Sequence, residues 1–357
     1  MKVNCPECQK VFEIPGEHLK KYDKQIAFPC PACQKGRIKI ELDSASKQPS
    51  SGQPLKLRTN KTPVTPSKNS KQPISGMALK RRVLQRVEDL PPMPQIVLRA
   101  REIMADQTAG ISNLVNLLQN DQSIVTKVLR LSNSACYGLS GKISTVQHAA
   151  VLLGQKTLSE VITMAGVSDL MGKELPGYGM DAGDLWRHSL AVGFGAQYLA
   201  ERLKPQLSDD AFVAGLIHDG GKIILDEYVL QRKAEFETFL ADGEQTYLEA
   251  EKDLLGVDHS EIAADICKKW ILPEAIHHPI RWHHRPSRSG GSELALFLHV
   301  ADYFAKMSGM GTGLDDLRYQ VEESAIESLG YQEAELDSLL VDVMESVDKI
   351  AQDFQDI

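Results

Sequence analysis

From Met77 to the C-terminal end, apolar residues return every three or four positions, the spacing of a buried helix face. Leu79, Val83, Leu84 and Val87 trace one such stripe; Ile124, Val125, Val128, Leu129 and Leu131 trace another. Asp121 stands where a helix N-cap is needed, because its carboxylate can accept from the free N–H groups of a first turn. Helices are predicted from Ser144 to Leu153 and from Gln155 to about Met171, parted by Gly154, then from Asp181 to Leu203 and Asp209 to Tyr228. Segments reaching Trp270 and His284, then Ser292 to Met307 and about Asp315 to Phe354, complete the series. No stretch of this region alternates with the two-residue period of a strand. A chain patterned in this way folds as an all-α body.

The first 42 residues follow another rule. Cys5 and Cys8 form one CxxC and Cys30 and Cys33 a second, whereas Cys136 and Cys267 sit alone in helical patterns and read as buried thiols. Each CxxC turns two thiolates toward one point, and four sulfurs are what tetrahedral zinc requires. Val11 to Ile14 and Arg37 to Leu42 alternate like short strands, so residues 1–42 read as a small β zinc ribbon. A metal-free ribbon or a redox pair is the alternative. So small a unit would take most of its stability from the ion.

Residues 43–76, rich in Ser, Pro, Lys, Gln, Thr and Asn, form a flexible basic linker. Through Lys80 the chain carries 15 Lys+Arg against 6 Asp+Glu, yet the whole chain has 40 against 48. A basic front therefore precedes an acidic body. Ribbon and linker offer a possible nucleic-acid contact, ranked below a solvated spacer. No apolar run approaches the roughly 20 residues of a membrane span. MKVNCPECQK lacks the apolar core of a signal peptide. A cytoplasmic protein with no membrane partner is expected.

Within the helical body, Ala214 to Lys222 reads AGLIHDGGK. An apolar helix ends in His218-Asp219, and two glycines follow before Lys222, so both side chains can face one cavity. His188, His259, His283, His284 and Asp302 lie on separate helical segments around it. These groups read either as a divalent-metal site or as histidines satisfied within a core. His277 and His278, just before Pro279, read as non-ligands, and His148 and His299 as packing or local hydrogen-bonding groups. Arg281, Arg285 and Arg288 form a small basic cluster, able to attract phosphate or simply to face solvent.

LPPMP opening a helix at Leu90, NDQSIVTKVLRLSNSACYG, STVQHAAVLLG and the later IHDGGK together resemble the HDOD family of bacterial signalling proteins, a branch of the HD superfamily of metal-dependent phosphohydrolases. The resemblance covers roughly residues 80–290. It divides the rest into an HDOD domain over 77–290 and a helical extension, 291–357, packing on it. It implies an all-α HD-like fold and a regulatory role, with a signalling protein or a small nucleotide-like ligand as partner. In active HD enzymes a His, a His-Asp pair and a later Asp hold the metal that activates water. His188, His218, Asp219 and Asp302 match those positions in order. His259, His283 and His284 correspond to the extra ligands of two-metal HD-GYP phosphodiesterases, and Lys222 to the lysine of their HDxGK motif, the candidate catalytic group. Imidazole and carboxylate suit Fe, Mn or Zn. After His284, however, Arg285 to Gly291 replaces the acidic residue and GYP tripeptide, and Gly220 replaces the usual aliphatic residue. A binding module without catalysis is the reading this implies. A phosphohydrolase acting on a nucleotide or cyclic dinucleotide is the alternative.

Overall fold

The computed structural model describes parts of residues 2–41, residues 76–310 apart from a few loop positions, and residues 321–330 and 343–350. At the N-terminal end, β1 (Lys2–Asn4) pairs antiparallel with β2 (Val11–Glu13), and β3 (Gln25–Pro29) with β4 (Arg37–Glu41). Val3 opposes Phe12, and Ile26 opposes Ile40. The two expected strands are present, and two more accompany them. Cys5 is buried just after β1; Cys8, Cys30 and Cys33, the other three residues of the expected zinc site, lie outside the described residues, as does the linker over 43–75.

The body is helical, as the periodicity requires. Its first part runs through α1 (Gly76–Asp89), α2 (Gln95–Ala105), α3 (Ile111–Leu118), α4 (Gln122–Ser132) and α5 (Val146–Met171). The Asp121 carboxylate accepts from the Ile124 N–H at 3.1 Å, as its N-cap position implies. Met93 of LPPMP is buried, while Pro91, Pro92 and Pro94 lie outside the described residues. Gly154 has φ +77°, which parts α5 into the two segments expected from the sequence.

The second part comprises α6 (Asp184–Leu203), α7 (Ser208–Ile217), α8 (Gly221–Gln231), α9 (Lys233–Phe239), α10 (Tyr247–Leu255), α11 (His259–Lys269), α12 (Glu274–Trp282) and α13 (Glu293–Met307). Of the predicted C-terminal stretch, α14 (Glu323–Leu329) and a helix at 343–350 are described. α6 lies at the centre, against both α7 and α13. Two close approaches set the site. A side chain added at Gly215 would meet Gly193 Cα at 2.7 Å, so only a glycine pair lets α6 and α7 cross so tightly. One added at Gly221 would lie 2.0 Å from the His259 carbonyl oxygen, so α8 and α11 can touch at their first turns only without a Cβ there. Gly220 stays in the right-handed helical region (φ −56°, ψ −20°). The chain thus turns at His218–Gly220 without a left-handed residue.

Among the described residues no helix is long and apolar enough to cross a membrane. Cys267 is fully buried, and burial pushes its thiol up to about 12; Cys136 is half-buried.

Candidate metal centre

Three imidazoles of the site are oriented from behind. His218 Nδ1 is 2.7 Å from the Gly215 carbonyl, His283 Nδ1 2.7 Å from that of Ile280, and His188 Nδ1 3.3 Å from that of Met310. A carbonyl can only accept, so in the neutral ring the proton sits on Nδ1 and the lone pair on Nε2. All three Nε2 atoms point inward. They meet the carboxylates of Asp219, in the turn after α7, and Asp302, on α13.

His188 Nε2 is 3.1 Å from Asp302 Oδ1 and 3.5 Å from Asp219 Oδ2. His218 Nε2 is 3.5 Å from Asp219 Oδ1 and 3.8 Å from Asp302 Oδ1. His283 Nε2 is 3.8 Å from Asp219 Oδ1. None of these approaches is aligned as a hydrogen bond: the three Nε2 atoms and both Oδ1 atoms are buried without a hydrogen-bond partner among the described residues. Five acceptors facing one another away from water are costly unless a cation lies between them. An ion with ligand bonds of roughly 2.0–2.2 Å places neighbouring donors roughly 3–3.6 Å apart, close to the spacings here. The donor set therefore fits a divalent metal, with mixed nitrogen and oxygen ligands suited to Fe, Mn or Zn.

His259 and His284 complete a second group with Asp219 and His283, with ligand atoms within 4.8 Å of one another. These two are differently occupied. His259 Nε2 lies 2.7 Å from His284 Nε2, and His259 Nδ1 lies 2.7 Å from Glu251 Oε2. Glu251, wholly buried on α10, also accepts from the His259 N–H and the Tyr178 hydroxyl, each at 2.7 Å. Burial lowers the His259 pKa, but the Glu251 and Asp219 carboxylates outweigh it and hold the imidazole above its ordinary value. His188 is lowered, and His283 and His284 are held well below theirs, in each case chiefly by burial.

Two buried lysines close the arrangement. Lys222 Nζ is 2.8 Å from Asp219 Oδ2, and Lys306 Nζ is 2.9 Å from Asp302 Oδ2. Asp302 thus offers Oδ1 to His188 and His218 while its Oδ2 faces an ammonium, and Asp219 Oδ2 faces both Lys222 and, at 3.5 Å, His188 Nε2. Burial by itself would raise both carboxyls. For Asp219 the His218 and Lys222 charges reverse that, and for Asp302 the Lys306 charge and His188 do, so both remain well below the usual carboxylate range.

The fold brings His188, His218, Asp219, Lys222, His259, His283, His284 and Asp302 into one cluster. His278 is elsewhere, with Nε2 2.9 Å from the Ser289 carbonyl. His299 links the His283 carbonyl to the Glu322 N–H, the local hydrogen-bonding role expected of it. Arg281 is held by Glu261 at 2.7 Å and lies over the Trp282 ring. Sequence reasoning missed Lys306, Glu251 and Tyr178. Lys306 was legible in principle, standing one helical turn after Asp302. Glu251 and Tyr178 carry no local signal.

An all-helical body with a buried His/Asp centre defines an HD-type domain. The HDOD family model matches residues 90–286, more than half of the chain, and the protein belongs to that family. An HDOD domain protein of unknown function from Geobacter sulfurreducens superposes with a TM-score of 0.63 at 29% identity, covering 77% of this chain and 98% of that one. A candidate signal transduction protein from Marinobacter aquaeolei VT8 matches with 0.63 at 19%, over 79% and 66%. A candidate phosphohydrolase from Shewanella amazonensis SB2B matches with 0.54 at 24%, over 74% and 97%. An uncharacterised protein of Treponema pallidum (strain Nichols) is 25% identical over 203 residues, which span 57% of this chain and 39% of the relative. Asp302 and Lys306 lie beyond the matched residues, on α13.

Proposed function

We propose that this chain is a signal-transduction module whose HDOD body binds a small ligand or a protein partner without catalysis, and whose His/Asp cluster holds one divalent ion as internal structure. The observation that carries this reading is closure. His188 and Lys222 are 1% exposed, and His218, Asp219, His283 and Asp302 are 0% exposed. A hydrolase must admit a phosphate and a water to its metal, and here His284, with its side chain 10% exposed, is the cluster residue that reaches toward solvent while the other ligands are enclosed by protein. Lys222, the group that would steady a leaving oxygen, instead faces Asp219. The second reading, a metal-dependent phosphohydrolase acting on a nucleotide or cyclic dinucleotide, draws on the complete His188, His218, Asp219 and Asp302 set, to which a bound metal would lend Lewis acidity.

Cys5, Cys8, Cys30 and Cys33 are proposed to hold zinc, on spacing alone. Metal content of the full chain separates the sites. C5S/C8S should lose zinc and D219N/D302N the second ion. Turnover assays over nucleotides and cyclic dinucleotides with added Mn or Fe should show no hydrolysis. Hydrolysis that disappears in D302N would overturn the non-catalytic reading, and a wild type with no ion beyond the ribbon's would overturn the metal.

A further inference from the structure

A second feature lies at the other end of α7, in the seam between α2, α5 and α7, where a cavity of about 200 Å³ opens. Met104, Phe212 and Val213 give it apolar walls, and Arg101, Lys156, Glu160, Asp209 and Asp210 bring charge to it. The cations are already engaged. Arg101 pairs with Asp210 at 2.9 Å, and Lys156 with Glu201 and, at 3.1 Å, with Ser208 Oγ. Glu160 and Asp209 form no ion pair among the described residues. Glu160 Oε1 accepts from the neutral Gln197 amide at 2.6 Å. Burial raises its carboxyl, opposed by Gln197 and the nearby Lys156 charge, while Asp209 and Glu201 raise it further. The cavity therefore combines an apolar wall with two carboxylates that share the single Lys156 ammonium with Glu201, an excess of negative charge.

We propose that this cavity binds a small organic cation, a primary ammonium carried on an apolar body. Size sets the body: an apolar cavity of about 150 Å³ accommodates benzene, so this one has room for a ring and an aminomethyl group. Charge sets the head, because an ammonium between Glu160 and Asp209 gains charge-assisted hydrogen bonds from both. Position gives binding a consequence. α7 begins beside the cavity with Asp209 and Asp210 and ends at His218, about 15 Å away for a ten-residue helix. A ligand that draws on Asp209 thus pulls on the helix that carries the buried cluster. This inference names a ligand class for the binding module proposed above and rests on that reading only for its purpose.

Calorimetric titration of the full chain with benzylamine, benzyl alcohol and benzoate tests it. Benzylamine should bind, benzyl alcohol at least ~10-fold more weakly, and benzoate not measurably. E160Q and the solvent-exposed D209N should each weaken benzylamine by ~10-fold while melting as the wild type does. The proposal is overturned by absence of benzylamine binding, by equal binding of the alcohol, or by unchanged affinity in D209N. Failure here leaves the non-catalytic reading intact, whereas Asp302-dependent hydrolysis would remove that reading and leave the cavity standing.

Discussion

Lys306→Met isolates the electrostatics of the cluster. The Lys306 ammonium lies 2.9 Å from Asp302 Oδ2, with the lysine side chain 1% and the aspartate 0% exposed. Methionine preserves most of the packing and deletes the charge. Removing one partner of a buried ion pair strands the other, at a cost of about 3–5 kcal/mol. In a body of this size roughly 2–4 °C accompanies each kcal/mol, so the melting temperature should fall on the order of 10 °C. The assay is thermal unfolding by far-UV circular dichroism in chelator, comparing variants under identical conditions so that any loss of ribbon zinc cancels. Two companions make the test specific. D302N/K306M removes both charges and should recover most of the loss, because no buried charge is left unpaired. Adding Mn or Zn to K306M should also recover much of it, since an ion at Oδ1 returns a positive charge to Asp302. A loss below about 1 kcal/mol, the range of a surface pair, would refute the reasoning, as would a double variant no more stable than K306M.

The pH dependence has a defined sign. His188, His283 and His284 are depressed in the fold, so below about pH 6.5 the unfolded chain binds more protons and stability in chelator should fall with pH. His259, raised, works the opposite way: its contribution is complete below its unfolded value and is lost as pH rises through the folded one. His277 and His299 are depressed as well, so five against one leaves a net decline toward acid, and denaturant titrations showing constant stability between about pH 7 and 5 would contradict it. Gly221→Ala would place a Cβ 2.0 Å from the His259 carbonyl oxygen. It should destabilise by about 1–3 kcal/mol and lower the metal content, measurable by urea unfolding and elemental analysis. Ile271 is 83% exposed with φ +61°, at a helix end where Leu272 N–H reaches back to the Cys267 carbonyl. Ile271→Gly should raise stability by up to about 1 kcal/mol, because a β-branched residue is strained in that region, and a lower denaturation midpoint would count against this.

Local rules reach far in this chain. Apolar spacing set the helices, and Asp121 and Gly154 marked their ends; it was the resemblance to HD enzymes, and no local rule, that put His188, His218-Asp219 and Asp302 in order. Those readings succeed because caps, breaks and amphipathic faces depend on neighbours a turn away. Whether those histidines were ligands or core was beyond them, since the answer lies in lone pairs converging from five separate segments. The Gly193–Gly215 crossing, Glu251 behind His259 and the ammonium at each Oδ2 arise only when distant helices pack. Burial is equally a property of the assembled body. The candidate ligands were written in the chain, but the burial around them, on which the proposed binding role rests, was decided by tertiary packing.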